Sequence, residues 1–273
     1  MALVIFRKGS TMGKKVSGTF EWAKYNENCI TGCSHMCQYC YARNRAVQMG
    51  VRTPETWQNE VISRKAMTKV HTERNGRIMF PTTHDITPNT LAACSIYLER
   101  MLNAGNAVLI VSKPHLVCIQ FICEAFTQYK DQMLFRFTIG SKSNEVLQLW
   151  EPNAPSFEER LASLKLAYEK GYQTSVSCEP MLDENIHLVV DATSEFVTDA
   201  IWLGKANELM LRMTSNGASA EMMEVGRKLI GLQCDTNIWK LYNKYCNDSI
   251  IKWKESIKKV IGLELPKEKG LDK

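Results

Sequence analysis

Gly32-Cys33-Ser34-His35-Met36-Cys37-Gln38-Tyr39-Cys40-Tyr41-Ala42-Arg43 is the most informative stretch of this 273-residue chain. Its cysteines are spaced Cys-x3-Cys-x2-Cys, between an apolar, strand-like run within Phe20–Ile30 and a helical pattern at Tyr41–Met49. Four of the ten cysteines fall within twelve residues, counting Cys29. The expected compartment is the cytoplasm, where disulfides are rare, so the cluster reads as metal ligands and the scattered cysteines as buried thiols. Three thiolates at this spacing can hold one face of an iron–sulfur cubane and leave one iron open. Cys29 opens an alternative, in which four thiolates close a structural zinc site or an electron-transfer cluster. One compact run, instead of two separated Cys-x2-Cys knuckles, and the place of Cys29 at an apolar strand end favour the three-cysteine reading.

Outward from the motif, short apolar runs alternate with helical patterns. Strands are expected in part of Phe20–Ile30 and at Arg77–Pro81, Ala107–Ser112, Leu134–Ile139, Gln173–Cys178 and Ala200–Gly204. Helices are expected at Ala66–Arg74, Thr90–Ala104, His115–Tyr129, Ser156–Lys170 and Ile186–Phe196. Ser156 before Glu158 and Glu159 has the chemistry of a helix start, and Gly171 that of a stop. Such alternation implies a parallel α/β sheet, either open and doubly wound or an incomplete barrel. Residue alternation discriminates further. Arg136 and Thr138 share a face opposite Phe135, Phe137 and Ile139, and Ser175, Ser177 and Glu179 share one opposite Val176 and Cys178. A polar lumen with helices outside explains that pattern. The expected fold is therefore α/β, a partial (β/α)6 TIM-like barrel over 15–206. A helical C-terminal extension, 207–273, follows, with helices at Glu221–Ile230 and Asn237–Val260.

Composition is that of a globular chain, 45% apolar and 23% charged, with no run long enough to span a bilayer. The start has only Ala2–Phe6 as an apolar stretch ahead of Arg7 and Lys8, which does not resemble a signal peptide. Charge is uneven. Residues 1–80 hold 13 Lys/Arg against 5 Asp/Glu, residues 81–239 hold 12 against 19, and residues 240–273 hold 9 against 5. A basic first third points to a localised anionic partner or to solvated basic faces.

The cysteine motif followed by an aromatic residue resembles the radical S-adenosylmethionine (SAM) enzymes, and more closely their spore photoproduct lyase-like branch, whose members are often described as DNA repair photolyases. The resemblance is carried by Gly32–Arg43, Val111-Ser-Lys-Pro-His-Leu, Phe135-Arg-Phe-Thr-Ile-Gly-Ser, Glu151-Pro-Asn-Ala-Pro-Ser-Phe-Glu-Glu-Arg160, and Gly171 with Glu179-Pro180. It spans roughly residues 15–205. It implies that Cys33, Cys37 and Cys40 hold a [4Fe–4S] cluster whose open iron takes SAM, and that an electron donor such as flavodoxin or ferredoxin feeds it. It also implies SAM contacts from Tyr39, Lys113 and Thr138, with Ser141 as a further candidate. Thr83 or Asp85, in the loop where many members carry Gly-Gly-Glu, is expected to receive the SAM ammonium. Tyr41 matches a tyrosine implicated in hydrogen transfer, and Glu179, facing the lumen at a strand end, is a candidate for substrate or SAM contact.

One departure is important. The lyase uses a cysteine hydrogen donor after its second strand, and Phe80-Pro-Thr-Thr-His84 has none. Cys178 is nearest by strand position, but alternation turns it toward the helices. Glu151 and Arg160 read as a structural salt bridge, His84 as a solvated loop residue, and Lys205 and Asn207 as weak candidates for the substrate side. The expected function is radical modification or rearrangement of a nucleic acid base or base adduct, DNA favoured, rather than thymine-dimer repair. The rivals are a peptide or small-molecule substrate, and a non-catalytic four-cysteine module. Neither a membrane partner nor a particular oligomeric state is indicated.

Overall fold

A computed structural model describes residues 16–270; the apolar start Ala2–Phe6 and the last three residues lie outside them. Strands β1 (Tyr25–Asn26), β2 (Ile30–Thr31), β3 (Val61–Ile62), β4 (Ile78–Phe80), β5 (Val108–Ser112), β6 (Met133–Thr138), β7 (Gln173–Cys178), β8 (Ile201–Leu203) and β9 (Ile251–Trp253) make two sheets. Seven of them form a parallel sheet in the order β1-β4-β5-β6-β7-β8-β9, and β2 pairs antiparallel with β3. In the large sheet each strand lies beside its successor, without the order reversal of a doubly wound fold. Right-handed crossovers repeated in one direction leave the helices on one face.

Packing agrees with this. Phe80, Ile110, Phe135, Phe137, Val176, Cys178 and Leu203 belong to the main core with the helices, whereas Met79, Leu109 and Leu134 form a separate cluster with Ala23 on the other face. Cys178 thus faces the helices, as its alternation requires. The sheet is open, with β1 and β9 at its edges. The 3-10 turn Gly18–Glu21 lies where the two edges approach: Lys254, just after β9, donates to Gly18 O at 3.0 Å and pairs with Glu21 at 2.6 Å.

The helices are α1 (Tyr41–Gln48), α2 (Arg64–Met67), α3 (Leu91–Asn103), α4 (Leu116–Ala125), α5 (Asn144–Trp150), α6 (Phe157–Glu169), α7 (Ile186–Thr193), α8 (Leu209–Ser215), α9 (Ala220–Leu232), α10 (Asp235–Tyr245) and α11 (Glu255–Ile261). Helix α6 starts as its sequence predicts, with Ser156 Oγ accepting from Glu159 N at 3.3 Å, and Gly171 at φ +78° ends it. Four expectations fail.

The run Phe20–Ile30 splits into β1 and the start of β2, which belong to different sheets. The helix expected at Ala66–Arg74 stops at Met67. The Asn106 side chain accepts from Arg74 N at 3.0 Å and donates to Thr72 O at 3.1 Å, engaging backbone groups that a helix would otherwise use. Helix α5 was not expected; it is capped by Ser143 Oγ, which accepts from Val146 N at 3.3 Å. The long helix expected at Asn237–Val260 is broken. Asn247, Asp248 and Ser249 turn the chain, Asp248 Oδ1 accepting from Ile250 N at 3.1 Å. Ile251–Trp253 then joins the large sheet beside β8, so the C-terminal extension is not purely helical.

Arg136 lies between the Trp22 and Trp202 rings, its guanidinium 4.6 and 5.1 Å from their centroids and bonded to Asp199 at 2.8 Å. It does not line the open cavity expected for that face.

Candidate active site at the strand ends

A cavity of about 580 Å³ opens at the carboxyl ends of the parallel strands and is lined by Cys33, Cys37 and Cys40 together. The loop that carries them is fixed by backbone. Cys33 N donates to Trp57 O at 2.9 Å, and Gly32, at φ +102°, has no room for a side chain, since a Cβ there would lie 2.3 Å from Asn59 O. Cys40 caps α1, its sulfur accepting from Arg43 N at 3.3 Å. From the far end of the chain, Asn216 donates to Gln38 O at 2.9 Å and to Cys40 O at 3.1 Å.

Burial pushes the Cys37 thiol up to about 12 and raises Cys33 well above and Cys40 above the usual thiol range, with neighbouring thiolates and Asp85 adding to the rise. Holding all three as thiolates therefore calls for strong positive charge at their sulfurs, which a metal cluster supplies. The donor set fits a three-cysteine site. Cys29 is absent from the cavity lining, and its sulfur lies 3.8 Å from Cys94 in the core. The four-cysteine arrangement loses its fourth ligand on that geometry. Cys118 and Cys123 are buried on α4, as expected of small apolar residues.

Asp85 is the electrostatic hub. Its oxygens accept from Lys113 N at 2.8 Å, Ser112 Oγ at 3.1 Å and His35 Nδ1 at 2.8 Å, and face Lys113 Nζ at 3.4 Å. Burial alone would raise its pKa; the Lys113 ammonium and His35 reverse that and hold the carboxyl well below the usual range. Lys113 is likewise buried, yet Asp85 and the neighbouring Cys37 raise it well above an ordinary lysine. His35 Nε2 lies 2.9 Å from His115 Nε2, and His115 Nδ1 faces Glu159 at 3.6 Å. This chain of side chains ties the cysteine loop to α4 and α6, and nothing in local sequence announces it.

Tyr39 donates to Glu151, whose other oxygen pairs with Arg160 at 2.5 Å; both members of that ion pair are fully buried. Arg160 also donates to Pro155 O at 2.8 Å and Thr138 O at 3.2 Å. The salt bridge read from the sequence exists, and it anchors the cysteine loop through Tyr39.

Thr83, Asp85, Lys113, Thr138, Tyr39, Tyr41 and Glu179 all line the cavity. Ser141 does not: it is buried, and its hydroxyl donates to Asp183. His84 is buried, not solvated. Nδ1 donates to Asp85 O at 3.0 Å while Nε2 accepts from the Cys29 and Ile30 N–H groups, each 3.4 Å away. Desolvation of its hydroxyl and the adjacent Cys40 lift the Tyr41 phenol to about 12 although the residue is 38% exposed, and its hydroxyl donates to Thr82 O. Glu179 faces Lys254 at 3.4 Å.

Lys205 and Asn207 do reach the cavity, joined by Arg212, Glu255 and Lys259 from the C-terminal region. The basic residues of the first third behave differently. Arg43 is buried and donates to Pro54 O at 2.8 Å, Lys69 pairs with Glu27, and Arg45, Arg52, Arg64 and Lys65 are absent from the cavity lining.

No family model matches the chain. It is 27% identical over 186 residues to the uncharacterized protein ORF301 of Acidianus two-tailed virus, a match covering 64% of this chain and 60% of the viral protein. Among solved structures it is similar to spore photoproduct lyase complexed with dinucleoside spore photoproduct, with a TM-score of 0.50 and 16% identity over 81% of this chain and 65% of that one. A tyrosine-to-phenylalanine mutant of the lyase gives a TM-score of 0.51 at 16% identity, over 82% of this chain and 77% of that one. The chain thus has the spore photoproduct lyase fold over about four-fifths of its length, while it spans less than two-thirds of the viral relative and of the lyase in that complex. Among the described residues no helix is long and apolar enough to cross a membrane.

Proposed function

We propose that this chain is a radical SAM enzyme acting on a base or base adduct in a nucleic acid. The observation that carries the reading is the convergence of Cys33, Cys37 and Cys40 on one strand-end cavity that no fourth cysteine lines. These thiolates would hold a [4Fe–4S] cluster with one open iron, and cluster plus SAM supply a 5′-deoxyadenosyl radical when bound. The chain's own residues bind and orient. Lys113, held by Asp85, offers an ammonium to the SAM carboxylate. Thr83 is the better acceptor for the SAM ammonium, because the Asp85 oxygens are already engaged by His35, Ser112 and Lys113. Tyr39 and Thr138, which line the cavity, would contact the SAM nucleoside. Tyr41 and Glu179 are the residues assigned to hydrogen transfer and substrate contact.

Support for the substrate class comes from the cavity rim, where Lys205, Arg212 and Lys259, which pair with Asp235, Glu208 and Glu255 at 3.7, 3.5 and 3.5 Å, stand with the half-exposed ring of Tyr41, Arg212 lying 6.0 Å from its centroid. Cations beside an aromatic face suit phosphates and an unstacked base. Dimer repair by the lyase's route is disfavoured, since the loop after β4 carries Thr82 and Thr83 and no cysteine, and Cys178 is buried on the helix side.

The test is anaerobic reconstitution with iron and sulfide, then dithionite and SAM, with 5′-deoxyadenosine measured by chromatography. The wild type is expected to form it and Cys37→Ala to form none. Zinc in place of iron in protein purified without air would overturn the reading.

A further inference from the structure

Two buried thiols and an imidazole meet away from the cysteine loop. Cys29 follows β1, His84 follows β4 and Cys94 lies on α3, and all three are buried. Their two sulfurs and one ring nitrogen stand within 4.8 Å of one another, and the sulfurs are 3.8 Å apart. That separation is the edge of a tetrahedron, since two thiolates bound to one ion at about 2.3 Å stand about 3.8 Å apart. The imidazole is turned to suit. Its Nδ1–H donates to Asp85 O at 3.0 Å, which leaves the Nε2 lone pair on the Cys29 side. Metal-bound histidines are held in this way, with the second ring nitrogen on a carbonyl or carboxylate. The Cys29 and Ile30 amides that face Nε2 do so at 3.4 Å each, long for hydrogen bonds, and the Cys29 N–H also faces its own sulfur.

We infer that Cys29, His84 and Cys94 bind a zinc ion at a site separate from the Cys33, Cys37 and Cys40 trio. Two thiolates and a neutral imidazole cancel the charge of the divalent ion, so the loaded site adds no net charge to the core. Binding releases the two thiol protons to solvent. Sulfur and imidazole donors select zinc over magnesium and calcium, which take oxygen ligands. His84 also lines the strand-end cavity, which leaves water as the source of the fourth ligand. The ion joins the β1–β2 connection, the loop after β4 and α3, and the first of these runs on through β2 into Gly32 and Cys33. Its role is that of a structural clamp at the root of the cysteine loop. The site neither needs nor excludes a cluster on the trio.

The experiment uses the full chain made in zinc-supplemented medium and purified without air, with zinc and iron counted by mass spectrometry. Wild type is compared with Cys94→Ser, His84→Gln and the triple variant Cys33→Ala/Cys37→Ala/Cys40→Ala. About one zinc per chain is expected in the wild type and in the triple variant. Zinc retained by Cys94→Ser and by His84→Gln should fall about ten-fold or more. X-ray absorption at the zinc edge of the triple variant should show sulfur and imidazole nitrogen as ligands. A chelator should lower the melting temperature of the triple variant and added zinc should restore it, whereas a folded ligand variant should respond to neither. Should one ligand variant fail to fold, the other and the zinc edge of the triple variant still decide. Absence of zinc from both wild type and triple variant overturns the inference and leaves the radical SAM reading standing, as does full zinc in folded Cys94→Ser and His84→Gln with iron on the trio. Zinc that is lost only with the trio lies on the cysteine loop, and that outcome overturns the inference and the radical SAM reading together.

Discussion

Replacing Arg160 by methionine tests whether the anchor under the cysteine loop is structural. Arg160 and Glu151 are both fully buried and meet at 2.5 Å, and Arg160 donates two further bonds, to Pro155 O and Thr138 O. Arg160→Met keeps most of the volume but leaves the buried Glu151 carboxylate without its ion-pair partner, the Tyr39 hydroxyl still donating to it. Breaking a buried pair from one side costs about 3–5 kcal/mol, because the remaining charge stays desolvated. At roughly 2–4 °C per kcal/mol for a chain of this size, the melting temperature should fall by about 6–20 °C. The cycle is completed by Glu151→Gln and the double variant. Neutralising Glu151 in the Arg160→Met background should recover a large part of the loss, since the penalty resides in the stranded charge. Thermal unfolding by circular dichroism on the metal-free protein reads stability without involving the cluster. A fall of less than about 1 kcal/mol in Arg160→Met, or an additive double variant, would refute the reasoning.

Three further outcomes follow from named contacts. Glu27 accepts from Tyr97 at 2.7 Å and pairs with Lys69 and with Arg74 at 3.1 Å, partners that outweigh its burial and depress its pKa. Glu27→Gln should therefore cost about 1.5–3 kcal/mol at neutral pH. The gap to wild type should close as pH falls below about 4 and through the folded-state value, checked by urea titrations across pH. Asn216→Ala removes two bonds to the cysteine loop carbonyls, each worth about 1 kcal/mol; iron bound per chain after reconstitution should drop and Cys40 alkylate faster in the metal-free protein. Lys254→Met removes the ammonium from between Glu21 and Glu179, and should destabilise the chain by about 3–5 kcal/mol, read as a shift in the urea midpoint.

Local chemistry made part of this legible from sequence. The Ser156 cap and the helix-facing sides of β6 and β7 each depend on residues a few positions apart, and both appear in the structure as read, although Arg136 does not line the cavity. The failures share a different cause. The chain beyond α2 does not continue as a helix to Arg74, where Asn106, more than thirty residues later, engages the backbone of Thr72 and Arg74. Strand β9 is three residues long between two helices, and only pairing with β8 makes it a strand. His84 read as a solvated loop residue because the Cys29 and Ile30 N–H groups that occupy it lie more than fifty positions earlier. The His35–His115 contact joins positions eighty residues apart. Among the described residues, the rim cations Lys205, Arg212 and Lys259 come from the end of the chain, not from its basic first third.

The role of the residues after position 207 follows from the winding. A sheet wound in one direction brings every strand's carboxyl end to the same rim, but it leaves two unpaired edges and an incomplete wall. Strand β9 extends the wall by one strand beyond β8, and its pairing register sets Trp253 opposite Leu203. That places Lys254 against Glu179 from the end of β7 and Glu21 from the turn before β1, three distant parts of the chain joined at one ammonium. Ser256 Oγ then accepts from Lys205 N at 3.0 Å, fixing the rim after β8, while α8 brings Asn216 to the cysteine loop. The cysteine motif and the rim are therefore held by residues that follow position 207, and the C-terminal segment is part of the site and not an appendage to it.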